Sequence, residues 1–359
     1  GKKIEWKTSQ SGAVGRMNLL EIGDVLENLL KLIGEGEKTD KIFSIIEKAY
    51  SKENSLARAS RIFLNALFKD DGLVIIDGDD VRLKKQITPL IRKDVNEKKF
   101  YSLLKDQSTK LGEHYKVQAK VREINFFTIR ENERQRIDTS IEVPNIDKHP
   151  EKFSPNVLMR ALYQESILPN IAYIGGGAEI AYWMQIKSVF DSEKIPFPIL
   201  VLRNSALIIS EKHNEKLKSL GFSSSDLFSS EQELHSQYIA RQKDVKSIDN
   251  ELEHFDSIFE KIKSKYSAPV YQQIIEAEQQ RQRKTLNILQ KKLDKIEKQK
   301  HKSALDQISK IKQYYFPNNG LQERHENLIA FYLKYGDNFI KKMKEELNPL
   351  DSYFVVLAL

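Results

Sequence analysis

The sequence predicts an α/β ligand-binding core carrying a long antiparallel α-helical coiled-coil hairpin toward its C-terminal end. Three observations carry this. Short apolar runs meet glycine or polar residues and then helix-like patterns, as in "IAYIGGGAEIAYW" (171–183). After about residue 230 the texture changes to heptads, beginning with Val245, Ile248, Leu252, Phe255, Phe259 and Ile262 at 3,4,3,4,3 spacing. The 359 residues are also enough to bury a sizeable core and to hold more than one structural unit.

The elements follow in order. "MNLLEIGDVLENLLKLI" and "SLARASRIFLNALF" repeat apolar residues at helical spacing, so the first 70 residues are expected to be mostly helical. "GLVIID" (72–77) reads as a short buried strand ending in Asp77, Asp79 and Asp80. These carboxylates either bind a ribose hydroxyl or a metal, or cap a turn and a helix, and capping is favoured. "REINFFTIRENERQRIDTS" reads as a β-hairpin around a polar turn. "FSPNVLMRALYQESILPN", the glycine phrase and "IPFPILVLRNSALIIS" have the mixed strand and polar texture of a ligand-binding core. In the hairpin, "SAPV" (267–270) interrupts the helix, and a second arm carries Leu286, Leu289, Leu293 and Ile296. The arms are expected to span Val245–Tyr315, with Lys300 weakening the seam. Pro317 and Gly320 stop the pattern. A last amphipathic helix and the tail "YFVVLAL" must pack on something, and the α/β core is the expected partner. The expected domains are 1–230, 231–315 and 316–359.

Composition removes several chemistries. The chain has no cysteine, so disulfides, cysteine-ligated metals and a cysteine nucleophile are excluded. No apolar run reaches the roughly 18 residues of a membrane span. "GKKIEWKTSQ" has no apolar signal core, so the cytoplasm is the expected compartment. The seven histidines show no His-x-x-His spacing, and no metal site is expected. The net charge is +7, yet Arg281–Lys312 alone carries 11 Lys/Arg against 3 Asp/Glu. Such a stretch attracts phosphate or acidic ligands, or is simply a solvated helix face; the second reading is favoured.

Six phrases together resemble one family, the bacillithiol biosynthesis cysteine-adding enzymes (BshC). They are "SGAVGRM", "GLVIIDGDD", "FSPNVLMRALYQESILPN", "IAYIGGGAEIAYW", "PFPILVLRNSALII" and "FPNNGLQER" with "NLIAFYLKYGDNFI". They run in the family's order over nearly the whole chain. The resemblance implies a Rossmann-like core similar to class I aminoacyl-tRNA synthetases, with connecting insertions and a C-terminal coiled coil used in dimerisation. It implies a reaction joining the cysteine carboxyl group to the amine of glucosaminyl-malate, giving bacillithiol. It also implies a further N-terminal region, with the first part of the Rossmann core and a glycine- and threonine-rich nucleotide motif, which has no counterpart in these residues. Ala161 stands where members often have proline.

With that resemblance the candidate site takes shape. Gly175, Gly176 and Gly177 make neither a dinucleotide fingerprint nor a Walker loop; they are expected to bring backbone close to a substrate. Glu179 either accepts a hydrogen bond from the substrate amine or is a helix-start carboxylate. Tyr182 and Trp183 either line a sugar pocket or pack in the core. Arg160 and Gln164 share a helix face, and Arg160 either holds the malate carboxylate or forms a structural ion pair with Glu165 or another carboxylate. Glu179, Arg160 and Gln164 are the expected catalytic group. Asn156, Glu165, the three glycines, Tyr182, Trp183, Arg203 and Asn204 are the expected substrate-binding residues. Gln322, Glu323 and Arg324 are expected at a nucleotide, or as the dock of the coil. ATP with Mg²⁺ is expected by analogy with the synthetase-like fold, activating the cysteine carboxylate. Expected partners are cysteine, glucosaminyl-malate and a second copy of the chain. Two other readings stand beside this one: an RNA-binding protein gripping through its basic arm, and a non-catalytic dimeric scaffold. The lack of aromatic residues between Arg281 and Lys312 counts against base stacking.

Overall fold

A computed structural model describes residues 4–130, 133–138, 140–242 and 248–359. The chain forms two compact units. The first holds Gly1–Asn204 and Leu328–Tyr353; the second holds Ser205–Asn327 and Phe354–Leu359.

The first unit opens with three amphipathic helices, α1 (Gly23–Ile33), α2 (Glu37–Ala49) and α3 (Leu56–Phe68), where helical spacing predicted them. Ser55 caps α3 by accepting from Arg58 N–H at 3.3 Å. "GLVIID" forms no strand. Val74 is 80% exposed, and no described residue ladders with the stretch. An apolar run becomes a strand only when a neighbour supplies N–H and C=O partners, which hydrophobicity cannot specify. The acidic residues after it take capping and pairing roles. Asp80 opens α4 (Val81–Gln86) by accepting from Arg82 N–H at 2.8 Å, and Asp77 accepts from Asp79 N–H at 3.0 Å. Asp79 bridges Arg16 and the buried Lys84. Burial works to raise its carboxyl, but hydrogen bonds from Arg16 and Lys84 outweigh that and hold it below the usual range.

Helices α5 (Thr88–Val95) and α6 (Phe100–Gly112) lead to a small antiparallel sheet. Its strands are β1 (Phe126–Arg130), β2 (Glu133–Arg136) and β3 (Phe153–Pro155), in the order β2-β1-β3. The expected hairpin is therefore present, with Phe127 opposite Arg136 and Ile129 opposite Arg134. Next come α7 (Met159–Ile167), β4 (Ala172–Gly175), α8 (Gly177–Trp183), α9 (Lys187–Glu193) and β5 (Ile199–Leu202). β4 and β5 pair in parallel, Gly175 opposite Leu202, because the intervening helices carry the chain back to the same end. Trp183 is fully buried in this unit's main core, stacked on Tyr173 at 4.1 Å and flanked by Phe190 and Phe197.

The second unit begins with β6 (Ser205–Ile209), only two residues after β5, yet the two lie in different sheets. α10 (Glu211–Ser219) and α11 (Glu231–Ala240) follow, then α12 (Asp249–Lys263) and α13 (Pro269–Lys300). Lys263 pairs with Glu276 and Asp256 with Arg283, each at 2.7 Å, and Gln290 accepts from Ile248 N–H at 3.1 Å. As one partner's number falls the other's rises, so α12 and α13 form an antiparallel hairpin, with Pro269 starting the second arm. Val245 lies outside the described residues. The returning arm does not run through to Tyr315 as one helix. It ends at Lys300, and α14 (Lys302–Tyr315) follows a break at His301. Leu305, Ile308, Ile311 and Tyr315 are buried in this unit's core with Leu234 and Ile239 of α11. The reason is burial: α14 buries an apolar face, whereas no residue of α12 or α13 is fully buried.

The last helices, α15 (Leu328–Tyr335) and α16 (Asp337–Glu346), belong to the first unit, where Tyr332 packs with Ile42 and Ile46. The tail forms β7 (Phe354–Ala358), parallel to β6 in the second unit.

Candidate functional site

The parallel pair explains the site. Open parallel sheets gather ligand groups at the C-terminal ends of their strands. The β4–β5 register sets Gly176 and Arg203 side by side just beyond those ends, and Arg203 N–H donates to Gly175 C=O at 2.9 Å. A methyl group at Gly176 would make an ordinary contact, 3.5 Å, with the Arg203 guanidinium carbon, so the cation lies against this turn without requiring a glycine there. Gly175 is needed on steric grounds. A Cβ there would sit 2.7 Å from the Tyr173 ring and 3.2 Å from Glu179 Cβ. At Gly177 it would meet nothing within 4 Å. Gly175→Ala is therefore expected to destabilise by about 1–3 kcal/mol through displacement of Tyr173. Gly177→Ala should be neutral or stabilising by under about 1 kcal/mol. Urea unfolding of both variants checks this, and equal losses would remove the steric distinction.

Glu179 closes the start of α8: its Oε2 accepts from Gly176 N–H at 2.9 Å. That bond first, and then Arg160, hold its carboxyl below the usual glutamate range. The backbone N–H expected to face a ligand's negative charge is thus already used by a carboxylate. Arg160, from α7, donates through Nη2 to Glu179 Oε1 at 2.8 Å and to the Tyr182 hydroxyl. The ion pair weighed for Arg160 therefore exists, and its carboxylate is Glu179, not Glu165. Arg160, Glu179 and Tyr182 converge; Gln164 does not join them and donates to Glu165 at 3.2 Å.

Several expected site residues have structural duties. Glu165 is 1% exposed and accepts from Asn170 N–H at 2.8 Å and Asn170 Nδ2 at 2.9 Å, clamping the turn after α7. Trp183 is core, not pocket wall. Asn156 caps α7, its Oδ1 accepting from Leu158 and Met159 N–H at 2.9 Å. Its Nδ2 donates to Asn125 Oδ1 at 2.9 Å. Asn204 Nδ2 donates to Asn348 C=O at 2.8 Å. In the second unit the buried Gln322 accepts from Ile208 N–H at 2.9 Å and donates to Ile208 C=O at 3.0 Å. Glu323 and Arg324 sit beside it, 3.8 Å apart.

Sequence reading missed one feature of the first unit. A cleft of about 910 Å³ opens over the β1–β2 hairpin, with Asn156 and Tyr182 at its wall and Lys98, Lys120, Arg122, Arg134 and Arg136 around it. The signal was present as basic residues two apart, 120/122 and 134/136, on both sides of the "FF" pair. Strand alternation puts the second pair on one face of β2, whereas Lys120 and Arg122 lie in the segment before β1.

The comparisons with known proteins bear on both units. Residues 1–204 match the family model described as "Bacillithiol biosynthesis BshC, N-terminal Rossmann-like domain". Residues 206–359 match "Bacillithiol biosynthesis BshC, C-terminal coiled-coil domain". The chain belongs to the BshC family. Among its BshC relatives, a protein from Flavobacterium psychrophilum named "Putative cysteine ligase BshC" is 35% identical, over 99% of this chain and 71% of its own length. A protein of the same name from Flavobacterium johnsoniae is 34% identical over 100% of this chain and 71% of its own. Another, from Christiangramia forsetii, has the same identity and coverage. The expected Rossmann-like core and coiled coil are thus those of BshC. The boundary between the two matches, at residues 204–206, coincides with the first division between the compact units, although Leu328–Tyr353, inside the second match, belongs to the first unit.

Proposed function

We propose that this protein is a carbon–nitrogen ligase that joins the carboxyl group of cysteine to the amine of glucosaminyl-malate, forming the amide of bacillithiol. The observation that carries this is the BshC match over both units, joined to likeness over 99% of this chain and 71% of the length of a relative named "Putative cysteine ligase BshC". The converged polar cluster supports it. Glu179, held ionised, is an acceptor and counter-charge for an amine and a poor base. Arg160 and Arg203 are cations for carboxylates at the strand ends. The chain's part is to orient the two reactants and shield their charges.

A carboxylate is a poor electrophile, and ATP with Mg²⁺ is proposed as the activating cosubstrate by analogy of fold. Gln322 does not fit a nucleotide role in this structure, because both ends of its amide are bonded to Ile208. No step is therefore derived through the nucleotide. No described helix is long and apolar enough to cross a membrane; a cytoplasmic setting is part of the proposal.

The RNA reading is the weaker one, because both units match the BshC family and part of the arm's charge is already engaged. Arg283 pairs with Asp256, Lys300 with Glu297, and Lys312 is buried and donates to Leu227 C=O. The arm instead supports dimerisation. Ile274, Leu289, Leu293 and Ile296 of α13 remain 62, 46, 39 and 55% exposed, leaving an apolar stripe that a second copy could cover. Sedimentation should show a dimer that Leu289→Lys with Leu293→Lys converts to monomer; a wild-type monomer ends that part of the proposal.

Mass spectrometry of the chain incubated with cysteine, glucosaminyl-malate and ATP tests the reaction. The expected result is the amide product. Its absence from this chain and from the longer Flavobacterium relative under the same conditions rejects the ligase reading.

A further inference from the structure

The cleft over the β1–β2 hairpin gathers five cations, Lys98, Lys120, Arg122, Arg134 and Arg136, against two carboxylates among the described residues, Glu123 and Asp138. Arg134 and Arg136 are two apart on β2 and share the face that carries Phe127. The Arg134 guanidinium lies 3.7 Å from the centre of the Phe127 ring, and that of Arg136 lies 5.5 Å from it. Arg134 is held in place by Ser154 Oγ at 3.1 Å and Pro155 C=O at 2.8 Å. Among the described residues no carboxylate pairs with Arg134, Arg136, Arg122 or Lys120. Only Lys98 has a partner, Glu123 at 2.6 Å. Burial first, and then the charge of Arg136, weaken Arg134's hold on its proton. Like charges confined this way repel, and a bound anion relieves the repulsion. An aromatic ring that fixes two guanidinium planes also orients them for oxygen atoms. The cleft's volume suits a small molecule.

We propose that this cleft binds a small multivalent oxyanion, a dicarboxylate or a phosphate, through Arg122, Arg134 and Arg136. Tyr182 lies on its wall and also receives Arg160, so a ligand anchored here extends toward the Arg160–Glu179 pair. The inference deepens the ligase reading, for which the malyl end of the substrate is one source of the charge, but binding is measured separately from turnover.

Calorimetric titration of the whole chain with malate and with inorganic pyrophosphate tests it, glucosamine serving as a ligand without the anion. Arg122→Gln and Arg136→Gln remove charges that make no hydrogen bond to described residues, so folding should survive, as circular dichroism would show. Lys284→Gln, on α13, removes an equal charge elsewhere. The expected result is binding of malate or pyrophosphate that weakens by about tenfold or more in each cleft variant and stays unchanged in Lys284→Gln. Malate alone identifies a dicarboxylate site and pyrophosphate alone a phosphate site; either supports the proposal. No binding of either, or equal loss in Lys284→Gln, overturns it. A chain that binds malate but makes no amide keeps this site and rejects the ligase reading. Turnover with unchanged affinity in the cleft variants does the reverse.

Discussion

Arg160→Ala is expected to weaken binding of glucosaminyl-malate by about 1.5–3 kcal/mol, roughly ten- to 150-fold, the usual worth of a hydrogen bond to a charged group. Its contacts with Glu179 and the two tyrosines, Tyr173 and Tyr182, all use Nη2. Nη1 and Nε make no hydrogen bond to a described residue, which leaves one side of the guanidinium for a carboxylate. Stability should change far less. The Arg160 and Glu179 side chains are 37% and 38% exposed, and an ion pair so open to solvent contributes no more than about 1 kcal/mol. Arg160→Lys keeps the charge but not the fork, and should recover only part of the affinity. Calorimetry and thermal melting on the same samples decide the matter. Unchanged affinity with a large fall in melting temperature makes Arg160 a structural residue and removes it from the site.

Asp94→Ala should cost about 4 kcal/mol of stability near pH 4, because three donors lose their acceptor. Asp94 is fully buried on α5. It accepts from Asn125 N–H at 2.5 Å and Asn125 Nδ2 at 3.0 Å, and also from Phe126 N–H. Asn125 in turn holds Asn156, the cap of the helix that carries Arg160. Burial pushes the Asp94 carboxyl up to about 6. Between the unfolded value near 4 and this folded value, the native state keeps a proton that the unfolded chain has lost. Its contribution is therefore complete below about pH 4 and is lost as the pH rises through 6, a decline of about 3 kcal/mol. The gap between wild type and variant should narrow by that amount from pH 4 to pH 7. Comparing the two proteins separates Asp94 from Asp79 and Glu179, whose lowered carboxyls act in the opposite sense. A gap that widens with pH in urea titrations would show that Asp94 is stabilised as an anion.

The sequence by itself determined the α/β class, the helical hairpin and its break at Pro269, the β-hairpin around Phe127, and the capping duty of Asp80. Each rests on local spacing or on a residue's own backbone chemistry, which neighbours in the chain already fix. It also brought the glycine phrase, α7 and Arg203 to attention, because strand ends in a βαβ unit gather such residues. Only the tertiary structure decided which groups meet. "GLVIID" has the composition of a strand and lacks a ladder partner. Trp183 and Glu165 look like pocket residues and are buried, one in an aromatic core, the other on a turn. Gln322 appears free to bind a ligand, yet Ile208, 114 residues earlier, takes both ends of its amide. The basic cleft joins residues before β1 to residues on β2, and its charge becomes a site only when the hairpin folds over Phe127. Burial and partner choice are properties of distant pairs, and spacing along the chain does not encode them.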